Sequence, residues 1–456
     1  MGFWGKYRND YAQIARLGLP ILVGQVGMIV VGFADNIMVG RYSTRALASA
    51  SFVNGVFNTA IFACIGFSYG LTPLVGALFS QGRRTHIGGL MRTGVFVNIL
   101  FALLVSLLMG VLYLNVDRLD QPEELLPIIR PYFRLYLAGI LPLSMFQVFA
   151  QWSWGIKNTA MPMWIILGSN VINIIGNWLL IYGNAGMPEL GLQGAGISTL
   201  TARWLAAIVI AGIFFFKKSN QEYRDGFRST PISWSTVKQI NVTSWPVSLQ
   251  STMESASFSI VALMAGWLGA LELASFQILI VISTLGFCIY YSIGSAIAVL
   301  VSNETGLGNR SGTRRVAFAG YHIMLLLVVT ASLLIMILNR HFIAAFTEDA
   351  AVITLTSTLI FPLLLYQIGD ATQITFANAL RGTSNVMPML WIAFVSYVVI
   401  GIPASYTLGF TAGLGLYGLI LSFSVSLFSA AAFFLYFFLR TTREKKPRTI
   451  VRTDAL

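Results

Sequence analysis

The sequence predicts an all-α membrane protein with twelve transmembrane helices arranged as two parallel six-helix lobes. Three observations predict it. The 456 residues are 56% hydrophobic and only 10% charged, whereas soluble domains carry roughly 25% charged residues. No charged side chain occurs in 46–82, 158–188, 273–303 or 382–439. The second half of the chain also repeats the first at an offset of 226 residues.

The charge-free runs set the lengths. A membrane-spanning helix needs about 20 apolar residues, so 382–439 must hold two spans, with the Gly-rich stretch 409–418 as the turn. Outer-membrane strands would alternate in short segments, and these runs do not. Spans are predicted near 17–39, 48–79, 91–114, 132–154, 163–183, 192–216, 238–267, 273–302, 316–338, 355–379, 387–410 and 416–438. The first contains Pro20 and Asp35 and lacks a small-residue cleavage site after a short apolar core, so it is expected to be a span and not a removable signal. Cys64 and Cys288 fall inside spans, which predicts neither a disulfide framework nor a metal cluster.

Basic residues alternate between the two sides. Of the 29 Lys and Arg, 22 fall on the side that holds both termini, including Arg381 after the tenth span and the tail residues Lys445, Lys446, Arg448 and Arg452. The other side holds Arg41, Arg45, Arg118, Arg130, Arg134 and Arg340, together with the acids Asp117, Asp120, Glu123 and Glu124. This is the positive-inside pattern and predicts both termini in the cytoplasm. The net charge of +12 is then a topological signal, and no nucleic-acid partner is expected.

The repeat aligns Pro20 with Pro246, Leu47-Ala48-Ser49 with Leu273-Ala274-Ser275, Gln147 with Gln373 and Met161-Pro162-Met163 with Met387-Pro388-Met389. It divides the chain into an N-lobe (1–216), a cytoplasmic linker (217–237), a C-lobe (238–440) and a basic cytoplasmic tail (441–456). Six spans per half make both halves enter the membrane the same way, a layout of alternating-access transporters. An ion channel or a membrane receptor is the rival of another class, and the two-lobe repeat weighs against both.

Ionisable groups inside spans cost about 2.5–3.5 kcal/mol on insertion scales, so each needs a reason. Three carboxylates qualify: Asp35 in the first span, Glu254 in the seventh and Asp370 in the tenth. Their repeat mates are Val261, Met28 and Ser144, so the charge chemistry is specialised by lobe. Asn170, Asn173, Asn177 and Asn184 are spaced for one helical face, and amides in hydrocarbon need protein or a water-filled cavity as partner. Such a stripe is also common helix–helix glue. Tyr366 and Asp370 are spaced i,i+4 with Gln373 one turn on, and Gln250 and Glu254 are likewise i,i+4. Two acids among hydroxyl and amide oxygens suit a hard monovalent cation or a shared proton, either of which neutralises a pair that burial disfavours when charged.

Arg203, in the sixth span, is expected to snorkel or make a structural hydrogen bond. His86, His322 and His341 lie near span ends or in loops and read as solvated or interfacial. The aromatic residues fill cores and face lipid, with some rings free to attract organic cations. There is no HExxH, Walker loop, Cys/His cluster, or GxSxG in a strand–turn–helix context. Neither an enzyme nor a bound cofactor is expected, and transport would draw on an ion gradient.

The segment 20–40, ending Gly32-Phe33-Ala34-Asp35-Asn36-Ile37-Met38-Val39-Gly40, resembles the first-helix signature of the multidrug and toxic compound extrusion (MATE) exporters. Asn173 through Asn177-Trp178 to Tyr182-Gly183, followed by Gly191 to Gly196, resembles their fifth and sixth helices. Trp245-Pro246 to Glu254, and Tyr366-Gln367 to Asp370, resemble the NorM-like branch. The resemblance implies a V-shaped, monomeric pair of lobes in a bacterial inner membrane, exporting small, lipophilic, often cationic drug-like compounds in exchange for Na⁺ or H⁺. It implies that Asp35, Asn173 and Asn177 line an N-lobe cavity, that Gln277 lines the cargo path, and that Glu254, Asp370 and Tyr366 form a C-lobe cation site. Tyr366 and the nearby amides add oxygen ligands that a proton would not need, so Na⁺ is the expected coupling ion. The archaeal DinF-like pattern has Asp where Asn177 stands and lacks the C-lobe acids, and this chain departs from it in both respects. The nearest rival is a lipid-linked saccharide flippase of the same superfamily, which holds phosphates with several cavity cations. Here Arg203 is the cation read deep in a span, against three acids, which favours cationic or neutral cargo.

Overall fold

A computed structural model describes residues 3–119 and 121–443. Asp120 and the tail residues Lys445, Lys446, Arg448 and Arg452 lie outside the described residues. No strand occurs among those described. The first half contains α1 (Phe3–Tyr42), α2 (Thr44–Ser80), α3 (Arg84–Leu114), α4 (Glu123–Gly155), α5 (Ala160–Tyr182) and α6 (Leu192–Phe216). The second contains α7 (Trp234–Leu268), α8 (Ala270–Gly306), α9 (Arg310–Ala344), α10, α11 (Met387–Thr411) and α12 (Gly415–Thr441). α10 is Ala350–Thr358 joined to Ile360–Gly382 through a bend of 51°.

Ten of these helices are long and apolar enough to cross a membrane, and α10 is an eleventh if its two parts count as one span. The remaining helix, α7, has 35 residues but is rich in Ser and Thr. Its hydroxyls turn back onto their own helix: Thr243 to the Gln239 carbonyl at 3.2 Å, Thr252 to Ser248 at 2.8 Å and Ser259 to Ser255 at 3.1 Å. Self-bonded hydroxyls leave few unmet polar groups to face lipid. The turn read over 409–418 is tighter than that, because α11 runs to Thr411 and α12 begins at Gly415. Gly413 and Gly415 make the reversal at φ 69° and 55°, where a side chain would be strained. Widened turns over Phe394–Gly401 and Thr407–Thr411 flank Pro403 in α11, where the ordinary i→i−4 ladder cannot continue.

Two hydrophobic cores form. One is built largely from α2–α6 and the other from α7–α12. The inner ends of α1 and α7 cross over: Ile14, Leu17 and Ile21 pack in the second core, and Ile240 packs in the first. Ile14 and Ile240 are repeat mates, so the exchange is reciprocal. The same symmetry appears in the close contacts. Gly18 of α1 packs on Ala296 of α8, and their mates Ser244 of α7 and Gly70 of α2 pack on each other.

The chain between the lobes is more ordered than a polar connector. It carries a helix, Gln221–Ser229, docked on the start of α3, and α7 already begins at Trp234, inside the stretch read as linker. Gly88 and Gly226 bring the two backbones so close that neither has room for a Cβ. Arg92 Nη1 ties the segment down by donating to the carbonyls of Arg228 at 3.3 Å and Thr230 at 3.0 Å.

Among the described residues, every hydrogen bond between α1–α6 and α7–α12 lies in the half of the bundle that carries this linker. Arg315 Nε donates to Asp10 Oδ2 at 2.6 Å, Gln81 Nε2 to the Gly306 carbonyl at 2.9 Å and Ser248 Oγ to the Ala63 carbonyl at 2.8 Å. The hydroxyls of Tyr69 and Tyr291 also join there. His322, read as solvated or interfacial, instead bonds Tyr11 OH through Nδ1 at 3.0 Å, and its ring meets that of Tyr7 in a T-shaped pair with centroids 5.2 Å apart. It belongs to the joint between α1 and α9.

Candidate functional site

A cavity of about 710 Å³ lies between α2 and the C-lobe helices α7, α8 and α10. That volume suits a drug-sized ligand. Phe62, Phe258, Phe276 and Phe287 supply apolar walls, and Asn58, Gln250 and Gln277 supply amides. Glu254 and Asp370 are its acids.

The fold brings Glu254, Asp370 and Tyr366 together on this wall. Gln250 Nε2 donates to Glu254 Oε2 at 2.7 Å, one helical turn away on α7. Tyr397 of α11 also bonds Glu254, and its hydroxyl accepts from Gln373 Nε2 at 2.9 Å. The Gln373 side-chain oxygen Oε1 is then left buried with no partner among the described residues. Asp370 is 4% exposed, near enough to Glu254 for the two charges to act on each other. No described residue donates a hydrogen bond to it. Tyr366 stands one turn before Asp370, its ring against Phe258 and Phe423 and its hydroxyl bonded to Ser283. Carboxylate, amide and phenol oxygens without softer donors are the ligand set of a hard cation. No group of three or more His, Cys, Asp or Glu suited to a metal occurs among the described residues.

Asp35, Asn173 and Asn177 form a separate constellation across α1, α5 and α6. Asn177 Nδ2 donates to Asp35 Oδ1 at 2.5 Å and also approaches Asn173 Oδ1 at 3.4 Å. Asn173 Nδ2 continues to Thr199 Oγ1 at 3.1 Å. Asn177 is fully buried and Asn173 nearly so, and their amide nitrogens are spent on Asp35 and Thr199, while Asn177 Oδ1 is buried with no partner among the described residues. Gln277 shares the cavity with Glu254 and Asp370 and lies apart from this trio. Asn184 does not extend the stripe. α5 ends at Tyr182, Gly183 turns left-handed at φ 70°, and Asn184 caps the end by donating to the Trp178 carbonyl at 2.9 Å.

Two arginines complete the electrostatics. Arg203 lies over the Tyr136 ring at 5.2 Å and packs against Gly139, and its positive charge is felt at Asp35. It therefore stays within the bundle and does not snorkel to the surface. Arg381 departs further from its sequence reading. It is no loop residue: it is the last turn of α10, 5% exposed, on the cavity wall, with its guanidinium 4.7 Å from the Tyr69 ring. A ring beneath a desolvated cation contributes about 2 kcal/mol and a helix C-terminus at most about 2 kcal/mol. Burying an ion costs several kcal/mol after relaxation. Its Nε has no hydrogen-bond partner among the described residues. Sequence reasoning missed this residue because helix α10 continues past the predicted span end. The i, i+3, i+7, i+11 spacing from Asp370 through Gln373 and Ala377 to Arg381 was the available signal.

The MatE family model matches residues 20–179 and 246–407, two stretches that begin 226 residues apart, the offset of the internal repeat. Solved structures of the same fold cover nearly the whole chain at low identity. A eukaryotic MATE transporter matches at 18% identity and TM-score 0.85, covering 96% of this chain and 98% of its own. A multidrug resistance MATE transporter in an outward-facing conformation matches at 18% and 0.85, covering 95% and 96%. A MOP superfamily transporter from Pyrococcus furiosus matches at 18% and 0.86, again covering 95% and 96%. Two matched halves around a cavity that both lobes help to wall lead to one conclusion: the chain belongs to the MatE family and is a multi-pass membrane transporter.

Proposed function

We propose that this transporter exports small lipophilic, often cationic compounds in exchange for Na⁺ or H⁺, acting as a monomer in a bacterial inner membrane. The observation that carries the reading is the pair Glu254 and Asp370 on one wall of the cavity, with Asp370 lacking any donor among the described residues. Two carboxylates in a low-dielectric site cannot both stay charged without a counter-ion or a proton. Filling the pair couples to cargo if the ion binds one lobe arrangement better than the other, since an ion without that preference shifts nothing. The unpartnered Gln373 Oε1 and the Tyr366 hydroxyl support Na⁺, because a proton needs no such ligands. Phenyl walls with a few amides make a permissive site for organic cations.

The joined end of the lobes carries most of the basic loops, so by the positive-inside rule it faces the cytoplasm and the cavity opens outward. A matched structure described as outward-facing supports that orientation. Uptake of a cationic dye into inverted vesicles, under separately imposed Na⁺ and pH gradients, tests the proposal. Dye movement driven by the Na⁺ gradient alone is expected. Movement driven fully by the pH gradient with none by Na⁺ replaces Na⁺ with H⁺, and no gradient-driven movement overturns the export reading.

A further inference from the structure

Arg381 is a buried charge for which no described residue supplies a counter-ion. It lines the cavity beside Tyr69 of α2 and Tyr291 of α8, at the end where the lobes are joined. Among the described residues no carboxylate pairs with it and nothing accepts from its Nε, which is fully buried. Tyr69 and Tyr291 bond each other through their hydroxyls, and among the described residues neither oxygen accepts a hydrogen bond from Arg381. What remains is a desolvated guanidinium with donor capacity facing a ligand-sized space.

Its position relative to the acids gives the cavity a polarity. Tyr366, Asp370, Gln373, Ala377 and Arg381 follow one another at spacings of four, three, four and four, which places them on one face of α10, and all line the cavity. Eleven residues at 1.5 Å rise put Asp370 and Arg381 about 16 Å apart along the helix. A positive group is favoured at one end of this face and a negative group at the other. A planar guanidinium matches a carboxylate with two parallel hydrogen bonds.

We propose that Arg381 forms an anion subsite at the closed end of the cavity, and that the cargo class is amphoteric, with a cationic centre near Glu254 and Asp370 and a carboxylate at Arg381. Calling the ligand cargo rests on the export reading; the subsite is a statement about binding alone.

The test is equilibrium binding to the purified full chain of two probes: a dansyl-labelled quaternary ammonium with a flexible tail ending in a carboxylate, and its methyl ester. The wild type is expected to bind the acid about tenfold more tightly than the ester, the discrimination that one charge-assisted pair provides. Arg381→Gln should remove that preference while leaving the ester's Kd unchanged, and Arg381→Lys should keep part of it. Equal binding of both probes by the wild type overturns the subsite, and that comparison needs no variant, so misfolding of Arg381→Gln does not spare it. A variant that weakens acid and ester alike, or neither, also overturns it. Failure of gradient-driven dye efflux would sink the export reading and leave this binding comparison standing.

Discussion

Gly76 of α2 and Ser302 of α8 occupy the same place in the two halves of the chain, and they face each other across the joint between the lobes. A Cβ on Gly76 would overlap the Ser302 side chain, and one on Gly306 would overlap Ser80, its own mate. Each half therefore presents the same patch to the other, as in an isologous dimer interface. Small residues let the two backbones approach, as they do between helices in lipid.

Enlarging Gly76 should hold the joint open. Overpacking of this kind costs about 1–3 kcal/mol, enough to shift the balance of lobe arrangements by roughly five- to 150-fold. In Gly76→Val, a single cysteine replacing the buried Asn303 should react faster with a permeant maleimide, and export should fall accordingly. Unchanged labelling together with wild-type transport would show that this contact does not keep the end closed.

Asp35→Asn should stop export while the protein folds normally. Asn177 donates to Asp35 Oδ1, and an amide oxygen can take that bond in the variant, so stability should change by no more than about 1 kcal/mol. What disappears is the charge. Export at the wild-type rate would make Asp35 a structural member of the α1–α5–α6 hydrogen-bond chain and nothing more.

Glu254→Gln or Asp370→Asn should uncouple the transporter, leaving drug binding measurable while gradient-driven efflux is lost. A ligand that binds only the native state stabilises it by about 2.7 kcal/mol at 100 times its Kd, so Na⁺ should raise the melting temperature of the wild type. Neither variant should show that rise. Variants that pump normally under both gradients would dismiss the acid pair as the coupling site.

The joined end should face the cytoplasm. In a background lacking Cys64 and Cys288, a cysteine replacing the exposed Ser229 should resist an impermeant maleimide added to intact cells, and one replacing Glu123 should react. Labelling at position 229 from outside would reverse the topology.

The amino-acid sequence alone determined a helical, membrane-spanning plan, because charge-free runs longer than a bilayer is thick have no other solution. It also determined the twofold plan, because one offset recurs from Pro20 to Met389, and it singled out the three intramembrane acids, because each is costly wherever it sits. Only the tertiary structure decided which of them share a site. Glu254 and Asp370 meet across α7 and α10, while Asp35 is held apart by Asn177, and no spacing along the chain encodes a contact between distant helices. The same holds for α1 and α7, whose inner ends exchange cores although each reads as an ordinary member of its own half. Arg381 shows the limit most clearly. Its charge, next to Gly382 and a loop, reads as a cytoplasmic anchor, yet α10 carries it into the cavity under Tyr69 of the opposite lobe. Hydropathy measures how a segment partitions between water and lipid, and an interior cavity is neither.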